Sequence, residues 1–192
     1  MWELLQTVAL TLLLFLAIRA VIQNFKVEGT SMEPTLRSNE FLIVNKATYA
    51  RIDGTPAQFL LGSTHDPGAP MFLFGSPSRG DIIVFRYPAQ PDKDFIKRII
   101  GVPGDTVEIR NGRVYLNGVP QDEPYISHLP SYSYPSTTIP PGHYFVLGDN
   151  RPNSSDSHVW GLVPVDNLIG KAWFAYWPPS DWGPLASGAY AR

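Results

Sequence analysis

Three stretches of this chain hold residues that can do chemistry: GTSMEPT at Gly29–Thr35, DFIKRIIGVPGD at Asp94–Asp105, and GDNRPNSSDSHVWG at Gly148–Gly161. The first offers Ser31 on a tight turn after a strand-like run. Two compatible readings are open for it. Thr30 and Glu33 have the spacing of a capping box and Pro34 fits a first turn, so the stretch reads as a helix start. It also reads as a nucleophile turn, because N–H groups at the start of a helical turn are unpaired and can stabilise an oxyanion.

A serine hydroxyl needs a base. Ser31, Asp149 and His158 follow one another in an order that could make a triad, but no G-x-S-x-G occurs and no α/β pattern would hold it. Lys97 is the other candidate. Strand alternation puts Phe95, Lys97 and Ile99 on one face and Ile96, Arg98 and Ile100 on the other. At its free pKa of about 10.4, a lysine is a neutral amine in roughly one molecule in 2,500 at pH 7. Burial can lower that pKa by as much as ~3–5 units and make the amine a general base. The competing reading is a snorkelling or ion-paired lysine. Arg98 cannot give up its proton and reads as structural. The third stretch reads as a turn-rich loop, and it lacks the alternating acids of a calcium loop. Its hydroxyls and carboxylates could orient a lysine and pair with an arginine.

These residues need a scaffold. Strand-like runs occur at Asn24–Glu28, Glu40–Lys46, Asp81–Tyr87, Asp94–Gly101, Thr106–Arg110, Arg113–Asn117, His143–Leu147 and Leu168–Trp177. An Asn-Gly between two alternating runs in EIRNGRVYLNG is a hairpin signal. No βαβ alternation, repeat or amphipathic helix is visible. Pro and Gly together make 35 of 192 residues, 19 plus 16, which suits strands joined by turns. The expected class is all-β: an antiparallel sheet domain with a small β-hairpin cap. Thr48–Arg79 and Pro120–Pro141 read as long loops.

Leu4–Ile22 is apolar apart from Gln6, Thr7, Thr11 and Arg19, about the length of one membrane pass. A cleavable signal peptide is the alternative, but MWELLQT has no Lys or Arg and AIRAVIQNF lacks a good A-x-A. A retained anchor over residues 1–23 is therefore expected, followed by a domain at 24–192 whose cap spans about 106–141. Arg19 and Lys26 after the span weakly favour a cytoplasmic domain. The net charge of −2 gives no nucleic-acid surface. The chain has no cysteine, and His65, His128, His143 and His158 lack ligand spacing, so neither a metal nor another cofactor is expected. Four consecutive apolar residues at Met71–Phe74, with the Leu60–Leu61 island, suggest a second membrane contact. Trp173 and Trp177 read as core.

SMEPT, RGDIIVF, KRIIGVPGD and GDNRPNSSDS, in that order behind one span, resemble the bacterial type I signal peptidase family. The resemblance runs from the anchor to about Gly170, and DSHVWG is similar to small single-span members of cyanobacterial or plastid type. It implies a membrane-bound serine endopeptidase that removes signal peptides from preproteins after small residues at −3 and −1, with its domain on the outer membrane face and lipid beside it. It further implies Ser31 as nucleophile and Lys97 as general base. Ser154 then orients the lysine, and Asp156 belongs to a supporting ion-pair network with Arg98 as its partner. Val27, Met32, Leu36, Phe95 and Ile96 shape the nucleophile turn and the substrate pockets. The chain departs from some relatives at Gly29, where a serine would donate to the oxyanion, leaving the Ser31 N–H and Thr30. It departs again at His158, where many members carry arginine. The rivals are another Ser/Lys processing peptidase of the superfamily and an inactive, membrane-tethered binding module.

Overall fold

The computed structural model describes residues 1–52 and 70–186, so the Leu60–Leu61 island lies outside the described residues. Helix α1, Trp2–Val21, has no buried residue and is long enough to cross a bilayer. Its two threonines do not interrupt it. Thr7 Oγ1 donates to the Glu3 carbonyl at 2.9 Å and Thr11 Oγ1 to that of Thr7 at 2.7 Å, so both hydroxyls are satisfied inside the helix. The helix passes straight into β1, Ile22–Lys26.

The main sheet is antiparallel throughout. Its strands are β1, β2 (Phe41–Asn45), β5 (Ile82–Tyr87), β6 (Gln90–Gly101), β11 (His143–Leu147), β12 (Val163–Pro164) and β13 (Leu168–Trp177). They lie in the order β1-β2-β13-β5-β6-β11-β12, with β14 (Gly183–Pro184) also on β13. Apolar clusters cover both faces of its centre. Ile82 and Val84 pack with Val27, Leu36 and Leu42, whereas Ile83 and Phe85 pack with Ile99 and Val146. Burial on both sides explains why the IIVF run and the KRII run show no polar face.

The expected hairpin cap is there and is larger than a hairpin. Strands β7 (Thr106–Arg110) and β8 (Arg113–Leu116) join through Asn111-Gly112, with positive φ at both residues. A second Asn-Gly, at 117–118, repeats that geometry and leads to β9, Val119–Pro120. Strand β10, Tyr134–Thr138, adds to β7 from within the segment read as a loop. Ile109, Val114 and Leu116 share one cluster with Ile100 and Phe145 of the main sheet, so the cap and sheet bury a common core.

Other expectations are corrected. Residues 29–36 form turns rather than a helix start. The residue before a proline is biased away from helical backbone, which works against a helix running through Glu33. One short helix, α2 (Ser157–Trp160), follows the loop motif. Met71–Phe72 forms β4 and pairs with β3, Arg51–Ile52. Phe72 packs against the core, while Leu73 and Phe74 are exposed. Trp173 and Trp177 are not core residues, being 45% and 54% exposed. The β13–β2 register slips between Ala172 and Phe174 and again between Ala175 and Trp177. Such bulges break the alternation on which the core reading rested.

Candidate active site

The turn carrying Ser31 leaves Val27, at the end of β1, and meets β6 at Lys97. Lys97 Nζ donates to Ser31 Oγ at 2.7 Å and to the Ile96 carbonyl at 2.9 Å. Only 4% of Lys97 is exposed. Burial lowers its pKa to about 8, against the opposing pull of the Asp156 and Asp149 carboxylates. At that value roughly one molecule in ten carries a neutral amine at pH 7. The amine is therefore both within reach of a hydroxyl proton and able to take it.

The Gly148–Ser157 stretch fixes the turn from the far side. Asn150 N donates to the Ser31 carbonyl at 3.0 Å and its Nδ2 to that of Thr30 at 3.1 Å. Thr35 Oγ1 donates to Asp149 Oδ2 at 2.5 Å. Gly148 fits where no side chain could: a Cβ there would lie 2.2 Å from Ser154 Oγ and 2.5 Å from the Ser31 carbonyl oxygen.

The ion pairs differ from those expected. The Arg98 guanidinium binds Asp149 with two hydrogen bonds, Nε to Oδ1 at 2.8 Å and Nη2 to Oδ2 at 2.7 Å, and both side chains are buried. Asp156 instead accepts from Gly148 N at 2.9 Å and lies 2.5 Å from His158 Nδ1. The His158 ring stacks on Tyr132 with centroids 3.6 Å apart. The Ser31–Asp149–His158 triad is thus not assembled, since its acid serves Arg98 and Thr35 and its imidazole serves Asp156. Ser154 Oγ is buried beside Ser31 but has no hydrogen-bond partner among the described residues, so the expected bond to Lys97 is not formed.

A cleft of about 660 Å³ opens over the serine, lined by Phe25, Val27, Ser31, Phe95, Ile96 and Lys97 among others. Met32 and Leu36 do not line it; they are buried in the cluster behind the turn. Reading the sequence missed three further participants. Asn150 pins the turn, and its only signal was its place inside GDNR. Glu123 and Tyr125 reach in from the cap, Glu123 to Arg151 and Tyr125 beneath Arg98 at 4.1 Å. Nothing in their local sequence marks either one.

A serine hydroxyl bonded to a buried, pKa-lowered lysine, on an antiparallel sheet behind an apolar helix, has the chemistry that a serine hydrolase with an amine base would need. Residues 1–177 match the family described as signal peptidase, peptidase S26, and the chain belongs to that family. It is a serine endopeptidase that removes signal peptides. It is 40% identical over 168 residues to a probable signal peptidase I-1 of Synechocystis sp., covering 84% of this chain and 74% of that one. It is 39% identical over 189 residues to a signal peptidase I of Leptolyngbya laminosa, covering 94% and 81%. A crystal structure of a signal peptidase I from Enterococcus faecalis aligns at 36% identity and a TM-score of 0.44, covering 50% of this chain and 96% of that one.

Proposed function

We propose that Ser31 and Lys97 form the dyad through which this peptidase works. The neutral Lys97 amine takes the Ser31 proton as Oγ attacks the scissile carbonyl carbon, and the Ser31 N–H stabilises the oxyanion. Collapse breaks the C–N bond, and the Lys97 ammonium gives its proton to the departing amine. Water then attacks the Ser31 ester, passing a proton to Lys97. The acid leaves, and the proton returns to Oγ. Arg98, Asp149 and Asn150 hold the turn in register, and Ser154 and Asp156 tune the lysine from the loop. Val27, Phe95 and Ile96 bound the acyl side of the cleft.

The 2.7 Å contact between Lys97 Nζ and Ser31 Oγ, made by a lysine buried enough to lose its charge, carries this reading. Cleavage of a preprotein in detergent tests it. Ser31→Ala and Lys97→Arg should each abolish turnover while the circular dichroism spectrum stays unchanged. Cleavage surviving either change sinks the dyad.

The same reading divides the chain into an anchor at 1–23 and a peptidase domain at 24–192, with the cap inserted at about 106–141. It places the domain on the outer face of the membrane, where export substrates emerge. Leu73, Phe74, Trp173, Trp177 and Trp182 are exposed apolar side chains suited to a lipid interface.

A further inference from the structure

An endopeptidase must hold its substrate on both sides of the scissile bond, and the cleft over Ser31 accounts for one side. Its wall includes Phe25 and Lys26 of β1, the strand that leaves the anchor helix directly. A membrane-embedded signal peptide reaches that wall first, so this cleft takes the acyl side. Further along the same turn, at Glu33 and Pro34, lies a second cleft of about 530 Å³, a size common among ligand sites. Its walls include Glu33, Arg37, Ser127, His128, Asn150 and Asn153, and Asn153 also lines the first cleft. The two clefts therefore adjoin along the nucleophile turn.

We infer that the second cleft binds the first residues of the mature chain, on the amine side of the scissile bond, and that Glu33 selects their charge. This rests on the dyad reading above, which fixes where the bond is cut. Of the other charged groups around the cleft, Asp149 is held by Arg98 and Thr35, and Arg37 is exposed with its backbone N–H on Glu40. The half-buried Glu33 carboxylate has no hydrogen-bond or ion-pair partner among the described residues. The Asn150 and Asn153 amides are already bonded, Asn150 Nδ2 to the Thr30 carbonyl and Asn153 Nδ2 to Asn150 Oδ1, which leaves the Ser127 hydroxyl to meet a peptide backbone. A lysine or arginine shortly after the cleavage point meets Glu33 favourably, and a carboxylate there is repelled.

The test uses the full chain in detergent and a peptide series with alanine fixed at −3 and −1. Lysine and glutamate are exchanged at each of the first four positions after the cut. At one position kcat/KM should favour lysine over glutamate by about three- to fivefold, the scale of a partly exposed ion pair. Glu33→Gln should bring that ratio close to one, and Glu33→Lys should invert it. The same ratio in wild type and both variants, or no discriminating position, overturns the inference and leaves the dyad standing. Residual cleavage by Ser31→Ala, run in parallel, overturns both.

Discussion

Glu123 of the cap and Arg151 of the loop after β11 form a buried ion pair. Arg151 Nη2 donates to Glu123 Oε1 at 2.6 Å and Nη1 to Oε2 at 3.0 Å. Arg151 Nε also donates to the Gly148 carbonyl at 3.1 Å, one residue from Asp149. The cap thereby grips the segment that grips Ser31. A buried pair adds little net stability over an apolar replacement, but losing one partner strands the other charge. Glu123→Ala should destabilise the protein by about 3–5 kcal/mol, read as a lowered midpoint of denaturant unfolding. Below that midpoint, kcat should fall more than KM rises, because the nucleophile turn loses its hold. An unchanged midpoint would remove the cap from this role.

The proposed dyad implies a pH dependence. Below its pKa of about 8 the neutral fraction of the Lys97 amine falls about tenfold for each unit of pH. Peptide kcat/KM should therefore climb about tenfold from pH 6 to pH 7 and level off above pH 8. A rate flat between pH 5 and pH 9 would leave Lys97 without a part in proton transfer.

The same burial affects stability with a definite sign. Below pH 8 the folded protein holds a buried ammonium, and the full penalty is present. Between about pH 8 and 10.5 the unfolded chain keeps a proton that the folded one has released, so stability rises with pH. Lys97→Met removes the penalty. It should stabilise the protein at pH 7 by up to about 3 kcal/mol, with the gain over wild type shrinking toward pH 10. A difference constant from pH 7 to pH 10 would show that Lys97 titrates normally.

Ser31 and Lys97 could be singled out because their signals are local and the motifs short, and the structure brings the two side chains together. Lys97 stood out as a cation on an apolar strand, and β7 and β8 announced themselves by alternation around Asn-Gly. Strand β10 did not, since YPSTT has a proline and no apolar alternation, and it exists because the edge of β7 is available to pair. The partner of Arg98 was misassigned because Asp149 and Asp156 lie seven residues apart in one irregular loop. Periodicity says nothing about such a loop, and its turn geometry decides which carboxylate faces β6. Glu123 illustrates the remaining limit. Its meaning depends on contact with a residue 28 positions away.

The exposed apolar residues give a membrane prediction sharper than their sequence did. Phe72 is packed against the core, so changing it tests folding rather than lipid contact. Leu73, Phe74 and Trp182 are the residues to change. A chain beginning at residue 24 should still sediment with liposomes, and the triple change to serine should weaken that binding with no shift in thermal unfolding. A truncated wild type that stays in the supernatant would show that α1 is the sole attachment.

Gly148 and Ser154 give the closest test of geometry at the site. The Ser154 hydroxyl is buried and unpartnered among the described residues, so removing it leaves no stranded group there. Ser154→Ala should be neutral or slightly stabilising, and its loss of kcat should be much smaller than that of Ser31→Ala, as for a residue that only tunes the base. Gly148→Ala is a different matter. Its Cβ would sit 2.2 Å from Ser154 Oγ and 2.5 Å from the Ser31 carbonyl oxygen. The hydroxyl can be deleted, but the carbonyl belongs to the backbone of the nucleophile and must move. Displacing a reacting group by about 1 Å can cost on the order of a hundredfold in rate. Gly148→Ala should therefore lose at least that much kcat, and adding Ser154→Ala should recover only a minor part. Full recovery in the double variant would mean that Ser154 alone made the clash, and that the Ser31 turn tolerates movement that this geometry forbids.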